Sequence, residues 1–190
     1  MKHFKLASAV AIAMGIAFAG AASAASSNGG TITFTGSVDD VTCTVTGGGG
    51  TDGGQGNFTV ALAPAAPADL AVAGDVTKPK PFSVQIGGPG QGSCTDGKVA
   101  RMSFLTSSPR IDAATGALTN ALSGEAMNVQ VQLTDSSGVI NLADPSYFQD
   151  SPPIANNTAV IPFTAQYLAV GGAATPGLVS TSVVYAVTYN

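Results

Sequence analysis

Residues 177–190 read GLVSTSVVYAVTYN, and Val183, Tyr185, Val187 and Tyr189 fall at every second position. In an extended strand this period puts all four side chains on one face, as a continuous apolar stripe. Strands near a chain end fray unless something ties them down, so a stripe this hydrophobic demands a cover. Taken alone, the segment fits the closing strand of an ordinary β-sandwich equally well.

The other end of the sequence narrows that choice. Lys2, His3 and Lys5 precede an apolar run over residues 6–19, and the small residues Ala22, Ser23 and Ala24 follow it. This is the pattern of a secretory signal peptide over residues 1–24, with cleavage expected after Ala24. The run is too short to cross a hydrocarbon core of about 30 Å as a helix. Membrane insertion is therefore not expected.

Beyond the polar residues 25–30, Ile32, Phe34, Gly36 and Val38 alternate with Thr33, Thr35 and Ser37. The pattern predicts a strand. It precedes Cys43, the first position at which the chain is expected to be tied down. One apolar strand at the start and another at the end suggest that each molecule lends its first strand to a neighbour's last.

Composition agrees with an exported β-protein. Past the predicted leader, five basic residues (Lys78, Lys80, Lys98, Arg101, Arg110) stand against eleven acidic ones, a net charge of −6. Such a surface repels nucleic acid and anionic membranes, so neither is an expected partner. About 166 residues remain, enough for one domain. Two cysteines, Cys43 and Cys94, in an exported chain point to one structural disulfide.

The residues leave little room for chemistry. The single histidine, His3, falls in the predicted leader, which excludes histidine-dependent nucleophilic and metal sites from the remainder. Asp39 and Asp40 are adjacent, so on a strand they point to opposite faces and do not form an acid/base pair. The Gly47, Gly48, Gly49, Gly50 run lacks the lysine and the following helix of a phosphate-binding loop, and reads as part of a flexible loop over 47–56. The Asp135-Ser136-Ser137-Gly138 stretch has too few acidic positions for calcium and reads as a hairpin turn. No catalytic residue, metal site or cofactor is expected.

Further strands are expected at residues 57–63, 82–87, 98–106, 126–135, 139–142, 158–170 and 178–189, with short helical turns near 69–74 and 145–148. The proline-containing residues 63–69 are expected to form an edge or crossing connection.

Several motifs in order along the chain carry a family resemblance. They are Gly30-Thr31-x-x-Phe34-x-Gly36-x-Val38 followed by Cys43; Asn128-Val129-Gln130-Val131-Gln132-Leu133-Thr134-Asp135; Ile161-Pro162-Phe163-x-Ala165-x-Tyr167; Ala174-Thr175-Pro176-Gly177; and a penultimate Tyr189. The chain resembles the pilins of the chaperone-usher pathway, the type 1 fimbrial major-subunit family. The resemblance implies an all-β, incomplete immunoglobulin-like sandwich (the pilin fold), completed by a donor strand from another subunit. It divides the chain into a signal peptide (1–24), a donor-strand extension (25–38) and a pilin domain (39–190).

It also implies a structural subunit of a surface fimbria that supports adhesion. Its expected partners are other copies or related pilins, a periplasmic chaperone and an outer-membrane usher. Matched residue by residue, Ile32, Phe34, Gly36 and Val38 form the donor face, with Gly36 where the groove is too shallow for a side chain. Val183, Tyr185, Val187 and Tyr189 border the groove and meet the chaperone. The alternatives are a minor or adaptor pilin, or a carbohydrate-binding adhesin, which would need a lectin domain ahead of the pilin domain. A secreted enzyme would need the histidine and convergent polar cluster that are missing here.

Overall fold

The computed structural model describes residues 42–190; the predicted leader and the donor positions Ile32, Phe34, Gly36 and Val38 lie outside the described residues. Among the described residues nine strands follow in order: β1 (Val45–Gly47), β2 (Val76–Gly87), β3 (Ala100–Phe104), β4 (Leu118–Thr119), β5 (Val129–Asp135), β6 (Gly138–Val139), β7 (Gln149–Asp150), β8 (Thr158–Ala169) and β9 (Tyr185–Tyr189). The one helical element among the described residues is a 3-10 turn over Pro67–Leu70. No described helix is long and apolar enough to cross a membrane.

All ladders are antiparallel. One sheet runs β1-β2-β8-β5-β4, with β6 hairpinned onto β5, and the other runs β7-β3-β9. Inward residues of the two sheets meet in a common core. Phe82, Val84 and Ile86 of β2, Ile161, Phe163 and Ala165 of β8, and Val131 and Leu133 of β5 face Ala100, Met102 and Phe104 of β3. Phe163 lies at the centre, stacked on Phe82 at 5.6 Å and edge-on to Phe104 at 5.9 Å. This is an all-β sandwich, as the patterning implied.

The long ladder between β2 and β8 fixes the ends of the molecule. Gly87 pairs with Thr158 at one end and Val76 with Leu168 at the other. Proline at 79 and 81 is tolerated because β1 covers only Val84–Ile86 on the far side of β2, which leaves the earlier half as an edge. A register shift between Thr77 and Lys80, with Lys78 at φ 53°, absorbs the mismatch. The Gly87–Thr158 end carries the disulfide between Cys43 and Cys94. There Thr42 N–H donates to Ser93 C=O, and Asn157 Nδ2 donates to Cys94 C=O.

Several local expectations need correction. Residues 47–56 are pinned rather than loose: Gly48 N–H donates to Ser83 C=O, and Ser83 N–H donates to Gly49 C=O. Gly50 holds φ 84°, and a Cβ there would strike the carbonyl of Pro81. The glycines permit close approach to β2 instead of supplying freedom. Residues 145–148 form a turn, not a helical segment, and lead into β7. The helical turn expected near 69–74 begins earlier, at Pro67. The strand expected at 139–142 is a two-residue pairing, Gly138–Val139, closed by Asp135, whose Oδ1 accepts from Ser137 and Gly138 N–H.

Candidate strand-accepting groove

Residues 57–63, expected as a strand, are extended and alternate inward and outward but pair with no strand among the described residues. Phe58, Val60 and Leu62 turn toward the core and are half-buried. Thr59 points its backbone the other way: its N–H donates to Asp52 Oδ1 and its C=O accepts from Asp52 N–H. Backbone direction alternates along an extended chain. The amides of Phe58 and Val60 therefore face away from that loop.

The second wall has the same construction. Val179, Thr181, Val183, Tyr185, Val187 and Tyr189 are half-buried, while the residues between them are exposed. The bonded side belongs to the even-numbered residues. Ser180 C=O accepts from Ala121 N–H, Val184 C=O accepts from Leu105 N–H, and Asn190 exchanges both bonds with Val99. In between, β9 pairs in register with β3, Met102 opposite Val187. The odd-numbered backbone groups from Val179 to Val187 accordingly point away from β3 and meet no partner among the described residues.

Between these two free edges lies a cleft of about 710 Å³. Its floor is core side chains: Phe82, Met102, Phe104, Leu133, Ala165 and Tyr167 among them. At one end the walls touch, through a 5.8 Å contact between the rings of Phe58 and Tyr185 and a hydrogen bond from Tyr185 Oη to Gly56 C=O. Burial pushes the Tyr185 and Tyr167 hydroxyls above the usual tyrosine range, so both stay neutral donors. Thr181 Oγ1, on the wall, is buried without a hydrogen-bond partner among the described residues. Beyond the closed end, Tyr189 Oη donates to Cys43 C=O at 3.3 Å.

The four residues singled out near the end of the sequence share one face of the C-terminal segment; Val183 and Tyr185 line the cleft, whereas Val187 and Tyr189 continue that face beyond its closed end. The opposite wall was not singled out from sequence as a wall, although Phe58, Val60 and Leu62 carry the same period of two; nor were Val179 and Thr181, which continue the stripe. No group of three or more His, Cys, Asp or Glu among the described residues could hold a metal ion. The arrangement offers backbone edges and apolar surface: it is suited to receiving an extended, partly apolar segment.

Comparison with known proteins places the chain. Residues 32–190 match the sequence model of the family described as Fimbrial protein. The Type-1 fimbrial protein, A chain, of Escherichia coli (strain K12) is 32% identical over 165 residues, covering 85% of this chain and 84% of that protein. The major fimbrial subunit SMF-1 of Stenotrophomonas maltophilia (strain K279a) is 35% identical over 169 residues, covering 85% and 92%. Among solved structures, a subunit of a chaperone-usher pilus superposes with a TM-score of 0.55 at 17% identity, over 86% of this chain and 97% of that one, which shows a shared fold. The chain therefore belongs to the fimbrial protein family, as a structural subunit of a fimbria.

Proposed function

We propose that this subunit polymerises without covalent bonds by accepting, in the cleft between residues 57–62 and 179–185, the strand carrying Ile32, Phe34, Gly36 and Val38 of another copy. The observation that carries the reading is the pair of facing, unladdered backbone edges over an apolar floor. An inserted strand would complete both ladders and fill the cleft above the floor that contains Phe104 and Leu133. Burying Ile, Phe and Val contributes about 1.5 to 3 kcal/mol each. Each new backbone hydrogen bond adds about 0.5 to 1.5 kcal/mol, so a joint of this kind holds without a covalent link.

In this reading residues 1–24 direct export, 25–38 form the donor extension and 39–190 the accepting domain. A periplasmic chaperone fills the cleft first, meeting Val183, Tyr185, Val187 and Tyr189, and an outer-membrane usher exchanges it for the next subunit's extension. The product is a surface fibre that supports adhesion.

Deletion of residues 31–38 tests the assignment. The truncated subunit is expected to be recovered bound to its chaperone but to build no fibre, as seen by negative-stain microscopy and chaperone co-purification. Long polymers from the truncated chain would remove the donor role.

A further inference from the structure

The stretch of wall over residues 179–184 stands beyond the strands that hold the rest of its sheet. β9 is laddered to β3 only over Tyr185–Tyr189, and the Leu105 N–H that donates to Val184 C=O is the last bond from that side. Toward the cleft, the odd-numbered backbone groups meet no partner among the described residues. An extended segment without a neighbour on either side opens easily. Yet residues 179–183 keep the alternation of half-buried and exposed side chains that β9 shows.

Side chains supply what a strand does not. Asn120 Oδ1 accepts from Ser180 N–H at 3.0 Å and from Leu122 N–H at 3.2 Å, while Nδ2 donates to Leu178 C=O at 2.9 Å and to Ala126 C=O at 3.0 Å. Turning the amide over would set N–H against N–H and oxygen against oxygen at all four contacts, so its orientation is fixed. A carboxamide carries the same donor and acceptor as a peptide group. Here it meets Ser180 N–H and Leu178 C=O as a residue of an adjoining strand would, and Ala121 N–H adds a bond to Ser180 C=O at 2.7 Å. Ser108 plays a similar part at the other end of the stretch: buried, its Oγ donates to Leu105 C=O at 2.7 Å and accepts from Val184 N–H at 3.0 Å.

We infer that Asn120 is the positioning residue of the accepting wall: its carboxamide stands in for the strand neighbour that residues 178–180 lack, and so holds the free edge at Val179 and Thr181 extended for an incoming strand. The inference rests on the proposed strand donation and names a residue that serves it. Asn120 does not line the cleft, so it acts through the segment it holds. A backbone that must be ordered at the moment of binding lowers affinity, and an edge already bonded from behind needs less ordering.

Binding of a fluorescent synthetic peptide of residues 31–38 to the purified subunit, together with hydrogen exchange at the Ala121 amide, tests this. Ala121 reports the wall through its bond to Ser180 without being the residue changed. Asn120→Leu is expected to weaken the peptide roughly tenfold. In the free variant the Ala121 amide should exchange faster, and saturating peptide should restore its protection. Thr115→Val, which removes a hydroxyl donating to Gln130 Oε1 away from the cleft, should leave both readings unchanged. Unchanged affinity or unchanged Ala121 exchange in Asn120→Leu, or an equal loss of affinity in Thr115→Val, would overturn the role of Asn120 and leave strand donation standing. If Asn120→Leu is not recovered folded, Asn120→Asp keeps the acceptor for Ser180 N–H and loses both donations; it should bind severalfold more weakly, and parental affinity would overturn the inference. No binding of the peptide by the unaltered subunit would overturn strand donation itself.

Discussion

In β2 and β8, backbone and side chains are spoken for together: Val84 and Ile161 are fully buried, pair with each other across the ladder, and β8 is laddered again to β5 on its other side. Along the cleft, Phe58 and Val183 are only partly buried, and the segments that carry them bond on one side only. Both regions alternate apolar and polar residues with period two. What separates them is whether the chain supplies a second neighbour within the described residues. A strand wall left half-bonded keeps a hydrophobic requirement that only another segment can satisfy.

The comparison breaks most sharply if both regions respond alike to truncation. Phe163→Ala, at the centre of the sandwich, is expected to cost about 3 to 5 kcal/mol in denaturant unfolding. Phe58→Ala, on the half-bonded wall, is expected to cost about 1 to 2 kcal/mol in the subunit alone, since only part of the ring is buried. The Phe58 loss should grow once a synthetic peptide of residues 31–38 is bound. Equal losses for the two variants, with no change on adding peptide, would mean that the cleft is ordinary core.

The disulfide sharpens the contrast from the other side, because it staples the end of the sandwich nearest β1. Closing about fifty residues should contribute roughly 4 kcal/mol through the unfolded chain. Paired Cys43→Ala and Cys94→Ala changes are expected to remove that stability. Thiol labelling of the denatured, unreduced protein should find no reactive cysteine, and two reactive thiols per chain would contradict the bridge.

A charge in the stripe should cost less than core truncation in the isolated subunit, yet more in the cell. Val187→Asp places a carboxylate on the half-buried face of β9, and an unpaired polar group there is expected to cost about 1 to 3 kcal/mol. The variant is expected to be degraded in the periplasm with no chaperone complex recovered. Val184→Asp, on the exposed face, is the matched control, since Val184 is 53% exposed. A normal yield of chaperone-bound Val187→Asp protein would detach β9 from the cleft reading.

The smallest effect belongs to the outer face of β3 and β7. Arg101 Nε and an Nη donate to both carboxylate oxygens of Asp150, at 2.7 and 2.8 Å, and the guanidinium lies 3.7 Å from the Phe148 ring centroid. The bond from Arg101 holds the Asp150 carboxyl below its ordinary value of 3.8. A depressed carboxyl stabilises the folded state above its unfolded pKa, and the contribution is lost as pH falls through the folded value. Both side chains are more than a third exposed, so solvent screens the pair and its contribution is small. Arg101→Gln should lower stability slightly near neutral pH, with the difference shrinking as pH falls below the ordinary carboxylate value. A difference that does not shrink with acidification would assign the loss to the Phe148 stack instead.

Alternation made the inward faces of β2, β5, β8 and β9 legible, because Phe82, Val84 and Ile86, or Val183, Tyr185 and Val187, state their face at every second residue. β4 was not expected, since Leu118–Thr119 is a two-residue pairing against β5, too short to show a period. The glycines at 47–56 read as freedom, and composition gives no sign that Gly50 and Gly48 press against Pro81 and Ser83 of β2. The four stripe residues were visible as a face, but not the wall opposite. Which edge of an extended segment lacks a neighbour depends on where the rest of the chain goes. Residues 57–63 show this, because their apolar pattern is that of a laddered strand.

The contact between Tyr185 and Gly56 turns the cleft into a slot with one blind end. In the proposed strand donation, that stop would set register as the end of a ruler sets zero. A slip of one residue would turn every side chain of the entering strand to the wrong face. Tyr185→Phe would leave the floor, both edges and the ring contact with Phe58 in place, and would loosen the mark from which the fit is counted by removing only the bond to Gly56.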